Sequence, residues 1–166
     1  EWAASTPFER FTDYRDPAQA DAAREERRRE LAAEGRNPES APDPQDPEAF
    51  ARSKLRWEEL SRPPHRSMLD WHRSLVRLRR TRPELRDDRL DLVRATFDET
   101  ERWLCVERGP TTIVCNLDAG RRRIPLPPER SRNVLLAYEG GLREDPAAVE
   151  LAGESVVILG PGDAPG

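Results

Sequence analysis

The chain has 166 residues, of which 36% are hydrophobic and 36% are charged. Ordinary domains are about 45–50% apolar, so this chain has few core residues for its length. Its 28 basic and 32 acidic residues give a formal net charge of −4, which argues against a nucleic-acid partner. No apolar run approaches the ~18 consecutive residues of a membrane-spanning helix, so we expect no membrane partner. Met68 is the single methionine, so we expect that the chain is a piece of a longer protein or has lost an upstream segment.

The first helix is predicted from its two ends. Asp16-Pro17 combines a helix N-cap with a proline at the first helical position, and Gly35 is a natural stop. The residues between them, 18–34, offer almost no apolar face and are supported mainly by charge pairs four residues apart. We therefore expect a helix that is largely solvated.

Two further helices are predicted before residue 86. Residues 36–46 contain three prolines and are expected to have no regular structure. Asp46-Pro47 repeats the cap and proline, which predicts a second helix through Phe50, Leu55, Trp57 and Leu60. A third helix is predicted over residues 66–80. Its wide apolar stripe, which includes Met68, Leu69, Trp71, Leu75, Val76 and Leu78, is typical of a helix buried against a large surface.

From about residue 89 the hydrophobic period changes to two. Short strands are predicted at Leu90–Val93, Trp103–Val106, Thr111–Cys115, Arg123–Leu126, Val134–Leu136 and Ser155–Leu159. Gly120 and Gly140-Gly141 supply turns, and residues 160–166 are expected to fray. The spacing predicts a small antiparallel sandwich or barrel over residues 87–166, as a second domain after residues 1–86.

Cys105 and Cys115 flank the Gly109-Pro110 turn of a predicted hairpin. With a two-residue loop the two side chains face opposite sides. With an odd loop they share a face, but Cβ atoms of opposed strand positions are ~4.5–5.5 Å apart, wider than the ~3.8 Å of a disulfide. We therefore expect two free thiols, which fits a cytoplasmic location.

The N-terminal segment is the main candidate for a binding site, because it interleaves aromatic and polar residues. Trp2, Phe8, Phe11 and Tyr14 stand among acidic residues such as Asp13. Aromatic faces stack on the C–H faces of sugar rings while carboxylates accept hydrogen bonds from hydroxyls, a combination typical of concave sites. The alternative interpretation is ordinary packing, which composition alone favours.

Other chemistry has little support in the sequence. His65 and His72 are seven residues apart and have no nearby cysteine pair, so we expect no metal site. The sequence has no nucleophile motif, phosphate-cradling glycine loop or dinucleotide fingerprint, so we expect no cofactor. Carboxylates are plentiful, but spacing does not show which two face each other across a glycosidic bond, so no catalytic residue is assigned.

Several segments resemble the malto-oligosyltrehalose trehalohydrolase family, which is part of the α-amylase superfamily of glycoside hydrolases. Glu1–Phe8 with Phe11-Thr12-Asp13 resembles the segment after the eighth strand of that family's barrel. The segment Pro42-Asp43-Pro44-Gln45-Asp46-Pro47, with Phe50, Ser53-Lys54-Leu55 and Trp57, resembles a signature of the family itself. Pro64-His65-Arg66, Leu75–Arg80 and Pro83-Glu84-Leu85 are similar to the last barrel helix of the wider superfamily.

The resemblance implies an α+β chain, with the end of a (β/α)8 barrel in residues 1–86 and a C-terminal antiparallel β-sandwich in residues 87–166. It implies a retaining glycosidase that cuts the α-1,4 bond beside the terminal trehalose of maltooligosyl trehalose. The catalytic carboxylates would lie upstream of Glu1, so the chain alone is expected to be inactive. The residues expected to line the sugar cleft are Trp2, Phe8, Phe11 and Asp13. Tyr14 is excluded, because the family tends to carry histidine at that position.

Two alternatives remain open. Another member of the superfamily, such as a glycogen-branching enzyme, shares the last helix and the sandwich, although the segment at residues 42–47 argues against it. A non-catalytic carbohydrate-binding or interaction module requires that residues from about 89 onward bind α-glucan unaided. Exposed aromatic residues are scarce there, which argues against this second alternative.

Overall fold

A computed structural model describes residues 1–40, 42–128, 133–138, 143–145 and 147–162. The chain divides into two compact units, Glu1–Leu69 and Asp70–Gly166. This division falls inside the third helix, whereas the sequence suggested a boundary after residue 86, which stays a prediction. The glycine pair at residues 140–141 and the end of the expected frayed tail, residues 163–166, lie outside the described residues.

Helix α1, Pro17–Ala33, begins and ends where its flanking residues predict. The carboxylate of Asp16 accepts a hydrogen bond of 2.9 Å from the amide of Ala18. At the other end Gly35 takes a φ of +71°, a left-handed conformation that glycine adopts without steric cost. The amide of Arg36 then donates to the carbonyl of Leu31 at 2.9 Å. This 6→1 bond is the mark of a Schellman stop, so the predicted helix ends are confirmed.

The predicted second helix is wrong in its length. Helix α2 covers only Pro47–Arg52, and a separate 3₁₀ turn follows at Trp57–Ser61. The hydroxyl of Ser53 bonds back to the carbonyl of Ala49 at 2.8 Å, and Arg56 has a ψ of +89°, which no α-helix allows. The apolar spacing therefore predicted one helix where the chain forms two separate elements.

The third helix, α3, covers His65–Thr81 and so confirms the prediction to within one residue at each end. None of its residues is buried. Half of the Val76 side chain is exposed, although Val76 belongs to the apolar stripe that was expected to be covered. The proline-rich segment before α2 has one short 3₁₀ turn, Pro38–Ser40.

The strands of the described residues are β1 Val93–Asp98, β2 Trp103–Arg108, β3 Thr111–Asn116, β4 Arg122–Pro125, β5 Asn133–Tyr138, β6 Arg143–Asp145, β7 Ala148–Leu151 and β8 Ser155–Gly160. The strand predicted at Leu90–Val93 is wrong, because Leu90–Leu92 form a 3₁₀ turn and β1 begins at Val93. β6 and β7 were not predicted: the sequence of β6 is entirely charged, and a glutamate interrupts the short apolar run of β7.

The strands form two antiparallel sheets, one in the order β1-β2-β3-β8-β5 and the other in the order β4-β7-β6. One core cluster draws residues from both sheets: Cys105, Val114, Val157 and Leu159 from the first, and Ile124, Val149 and Leu151 from the second. Because apolar faces of the two sheets meet in this cluster, the predicted antiparallel sandwich is confirmed.

The β2–β3 hairpin explains why the two cysteines remain apart. Arg108 pairs with Thr111, which leaves the two-residue loop Gly109-Pro110. Cys105 pairs with Val114, one position away from Cys115, so the two thiols face opposite sides of the sheet. Neither cysteine forms a disulfide, as predicted. Burial raises the pKa of the Cys115 thiol.

Candidate functional site

The N-terminal segment, defined here as residues 2–14, lies along the stretch that runs from Pro44 to His65. At its start the ring of Trp2 packs on Trp57 with 5.3 Å between centroids. Nδ1 of His65 lies 3.0 Å from the carbonyl oxygen of Trp2 and 2.9 Å from that of Ala3, so it donates to this pair of acceptors. The imidazole therefore fixes the backbone at the start of the segment.

Hydrogen bonds from Ser5 and Thr6 continue this attachment. The amide of Ser5 donates to Glu59 at 3.1 Å, and the Ser5 hydroxyl donates to the same carboxylate. The hydroxyl of Thr6 donates to the carbonyl of Lys54 at 3.2 Å. The two bonds from Ser5, with the hydroxyl contributing most, lower the pKa of Glu59. Glu59 thus holds this part of the segment as a carboxylate.

The middle of the segment is attached to the end of α2. The amide of Glu9 donates to the hydroxyl of Ser53 at 3.2 Å. The carboxylate of Glu9 forms an ion pair of 3.1 Å with Arg52. Ser53, the C-cap of α2, therefore also binds the N-terminal segment through its hydroxyl.

A cavity of about 400 Å³ lies beside the last third of the segment. Its lining comprises Phe11, Thr12, Asp13, Gln45, Asp46, Pro47 and Phe50. Phe11 and Phe50 meet edge to face with 5.1 Å between ring centroids, and the ammonium group of Lys54 lies 4.8 Å from the centre of the Phe50 ring. The cavity therefore combines an aromatic wall with carboxylates, as small-molecule sites commonly combine apolar walls with a few polar groups.

The turn at Asp43–Gln45 supports this cavity. One oxygen of Asp43 accepts from the amide of Gln45 at 2.9 Å, and the carboxylate pairs with Arg24 at 3.0 Å. The bond from the Gln45 amide, followed by the contribution of Arg24, lowers the pKa of Asp43. The buried Pro44 accepts a hydrogen bond of 2.7 Å from the amide of Thr12. The turn is thus held to α1 on one side and to the N-terminal segment on the other.

The structure separates the four predicted site residues into two groups. Phe11 and Asp13 line the cavity. Trp2 and Phe8 are not among its lining residues: Trp2 is half-buried against Trp57, and the side chain of Phe8 is fully exposed. The indole N–H of Trp2 is buried without an acceptor in the described part of the chain, which costs free energy.

Five lining residues were missed as site residues: Thr12, Gln45, Asp46, Pro47 and Phe50. Four of them lie in the family-like segment at residues 42–57, which is the signal that could have found them, and Thr12 lies between Phe11 and Asp13. Within the described ranges, no group of three or more histidine, cysteine or acidic residues is arranged to hold a metal ion. No helix of that part of the chain is long and apolar enough to cross a membrane.

The sandwich and the chain as a whole are each similar to known proteins. Residues 88–158 match a family model described as a domain of unknown function, DUF3459. A crystal structure from Salmonella typhimurium, described as a candidate alpha amylase, superposes on 96% of this chain and 26% of its own, with a TM-score of 0.70 and 27% identity. The fold is therefore that of a region of an α-amylase-type protein.

The sequence comparisons are more specific. The chain is 36% identical over 159 residues to a malto-oligosyltrehalose trehalohydrolase of Mycobacterium tuberculosis (strain ATCC 25618 / H37Rv), and 39% identical over 160 residues to one of Rhizobium sp. (strain M-11). Each match covers 96% of this chain. The resemblance to the malto-oligosyltrehalose trehalohydrolases is therefore confirmed. The chain spans 26–27% of the length of these relatives.

Proposed function

We propose that this chain is the C-terminal part of a retaining glycoside hydrolase that releases trehalose from maltooligosyl trehalose by cutting the α-1,4 bond beside the terminal trehalose. The observation that carries the proposal is the similarity, over 95–96% of the chain, to relatives that are all named malto-oligosyltrehalose trehalohydrolase. The fold of a candidate alpha amylase gives independent support for the superfamily.

In this proposal the catalytic carboxylates lie outside the chain. A retaining glycosidase needs its nucleophile and its acid/base about 5–5.5 Å apart on a rigid support. In a barrel enzyme that support is the set of strands, and the loops that follow the strands form the catalytic face. Residues 1–86 would be the end of such a barrel, and the chain alone would have no hydrolase activity.

The chain would contribute one wall of the sugar cleft. Phe11 and Asp13 line a cavity that combines aromatic and acidic groups, which supports their role as substrate neighbours. Trp2 and Phe8 belong to the same proposed wall. The sandwich is not part of this wall.

We also propose a cytoplasmic, bacterial enzyme. Cys105 and Cys115 form no disulfide, which suits a reducing compartment, and the relatives named above are bacterial proteins. The observation that would overturn this part is the enzyme activity in the extracellular fraction of the source cells rather than in their cytoplasm.

The test of the cleft wall is Phe11→Ala in the full-length protein that carries this chain. We expect a loss of roughly tenfold or more in kcat/KM for trehalose release, because the variant removes an aromatic wall. The matched control is Phe97→Ala, which removes an exposed phenylalanine of β1 in the sandwich and should leave kcat/KM unchanged. Equal kcat/KM values for Phe11→Ala and the unmodified protein would show that Phe11 does not contact the substrate.

A further inference from the structure

The cavity beside Phe11 has the size and the polar groups of a site for one sugar ring. Its volume of about 400 Å³ lies within the range of ~300–1,000 Å³ that is usual for small-molecule pockets. Of its two carboxylates, Asp46 already accepts a hydrogen bond of 2.9 Å from the amide of Glu48 as the N-cap of α2. Asp13 is exposed, and its side chain has no hydrogen bond or ion pair within the described residues. Asp13 is therefore the carboxylate that is free for a ligand hydroxyl.

The side-chain amide of Gln45 holds the backbone on both sides of Asp13. Its Nε2 group donates to the hydroxyl of Thr12, and its Oε1 atom accepts a hydrogen bond of 3.1 Å from the amide of Tyr14. A backbone amide can only donate, so the oxygen of Gln45 must face Tyr14 and the orientation of the side chain is unambiguous. Gln45 is thus hydrogen-bonded to both chain neighbours of Asp13.

Gln45 is itself fixed by its surroundings. Its own amide donates to Asp43, which is paired with Arg24 on α1. The next residue but one, Pro47, begins α2, so the backbone of Gln45 is held between a turn and a helix. A side chain on such a support can place the residues it binds more accurately than a free loop does.

We propose that the Phe11–Phe50 cavity is a binding site for one glucosyl ring of the substrate and that Gln45 is the positioning residue that holds Asp13 in it. This inference rests on the proposed function. Gln45 also lines the cavity, but the role proposed for it here is indirect. It acts through the backbone of Thr12 and Tyr14, and it sets where the Asp13 carboxylate accepts a hydrogen bond from a sugar hydroxyl.

A double-mutant cycle in the full-length protein tests this coupling, with kcat and KM for trehalose release from maltooligosyl trehalose as the readout. The variants are Gln45→Leu, Asp13→Asn and the two combined. We expect each single variant to lower kcat/KM roughly tenfold, mainly by raising KM, and the double variant to fall within about twofold of Asp13→Asn alone. Gln19→Leu, at an exposed position of α1, is the matched control and should have no effect.

Each other result has a distinct meaning. If Asp13→Asn leaves kcat/KM unchanged, the proposed role of Asp13 in sugar binding is wrong. If Asp13→Asn lowers kcat/KM but Gln45→Leu has no effect, or if the two effects multiply, the positioning role of Gln45 is overturned. Should Gln45→Leu fail to fold, Thr12→Val replaces it, because it removes the hydroxyl to which Gln45 donates. The same non-additive pattern with Asp13→Asn is expected, and multiplied effects overturn the proposal here as well.

Discussion

Asn116 joins two loops of the sandwich through a single buried side chain. Its Nδ2 group donates to the carbonyls of Gly120 at 2.8 Å and Ala152 at 2.7 Å. Its Oδ1 atom accepts a hydrogen bond of 3.0 Å from the amide of Asp118. The β3–β4 and β7–β8 connections therefore share one amide, which belongs to a buried residue whose polar groups need these partners.

Asn116→Leu is predicted to lower the free energy of unfolding by about 2–4 kcal/mol, because each buried group left without a partner costs about 1–3 kcal/mol. Chemical denaturation of the chain measures the change. Asn133→Leu, at the exposed start of β5, is the matched control and should shift the free energy by no more than about 0.5 kcal/mol. Equal effects of the two substitutions would contradict the role given to Asn116.

The attachment of Ser5 to Glu59 is predicted to depend on pH. The hydrogen bonds from Ser5 lower the pKa of Glu59 below its ordinary value of 4.5. A carboxylate with a lowered pKa stabilises the folded state above that ordinary value, and the contribution is lost as the pH falls through the lower value in the folded chain. The Ser5 amide should therefore lose its hydrogen bond only below pH 4.5.

The NMR chemical shift of the Ser5 amide, followed from pH 7 to pH 3, measures this loss. We expect a titration with its midpoint below 4.5 in the unmodified chain and no such titration in Glu59→Gln. A midpoint at or above 4.5, or the same titration in Glu59→Gln, would show that Glu59 does not hold the segment.

At the scale of elements, the features that were predicted correctly from the sequence are those set by residues close together in the chain. The ends of α1 follow from Asp16 and Gly35, whose preferences act within one helical turn. The error in the second helix has the opposite cause. The apolar spacing continues past Ser53, but Ser53 is the C-cap of α2. Its hydroxyl accepts a hydrogen bond from the amide of Glu9, which is 44 residues away.

The candidate site shows the same limit. Phe11 and Asp13 were predicted from their own segment, because aromatic and acidic residues alternate there. Phe50 and Gln45 were missed, since their contacts with Phe11 and Thr12 join residues more than 30 positions apart. No local pattern encodes such contacts, and only the family-like segment at residues 42–57 indicated that this stretch has a special role.

Helix α3 is predicted to be weakly protected when the chain is expressed alone. Its apolar stripe has no buried residue, so local opening exposes little further apolar surface. Hydrogen exchange of the monomeric chain should be faster over residues 68–78 than in β3, where most residues are buried. Uniformly strong protection across residues 68–78 would contradict this expectation.

At the scale of the whole molecule, the two units differ in what they need for stability. We call Glu1–Leu69 the helical unit and Asp70–Gly166 the sandwich unit. The sandwich unit has its own core, in which Cys105, Val114 and Val157 are all fully buried. The helical unit has fewer buried apolar residues, and its aromatic side chains at Phe8 and Trp57 are largely exposed. This difference fits the proposal that the chain, which spans 26–27% of its relatives' length, is part of a larger enzyme.

The most direct test of this account is product analysis after incubation with maltooligosyl trehalose. The full-length protein that carries this chain is compared with the 166-residue chain alone. We predict that the full-length protein releases trehalose together with a maltooligosaccharide, and that the chain alone releases neither. New branches in place of trehalose would assign the protein to another activity of the superfamily. Trehalose release by the chain alone would contradict the claim that its catalytic carboxylates lie elsewhere.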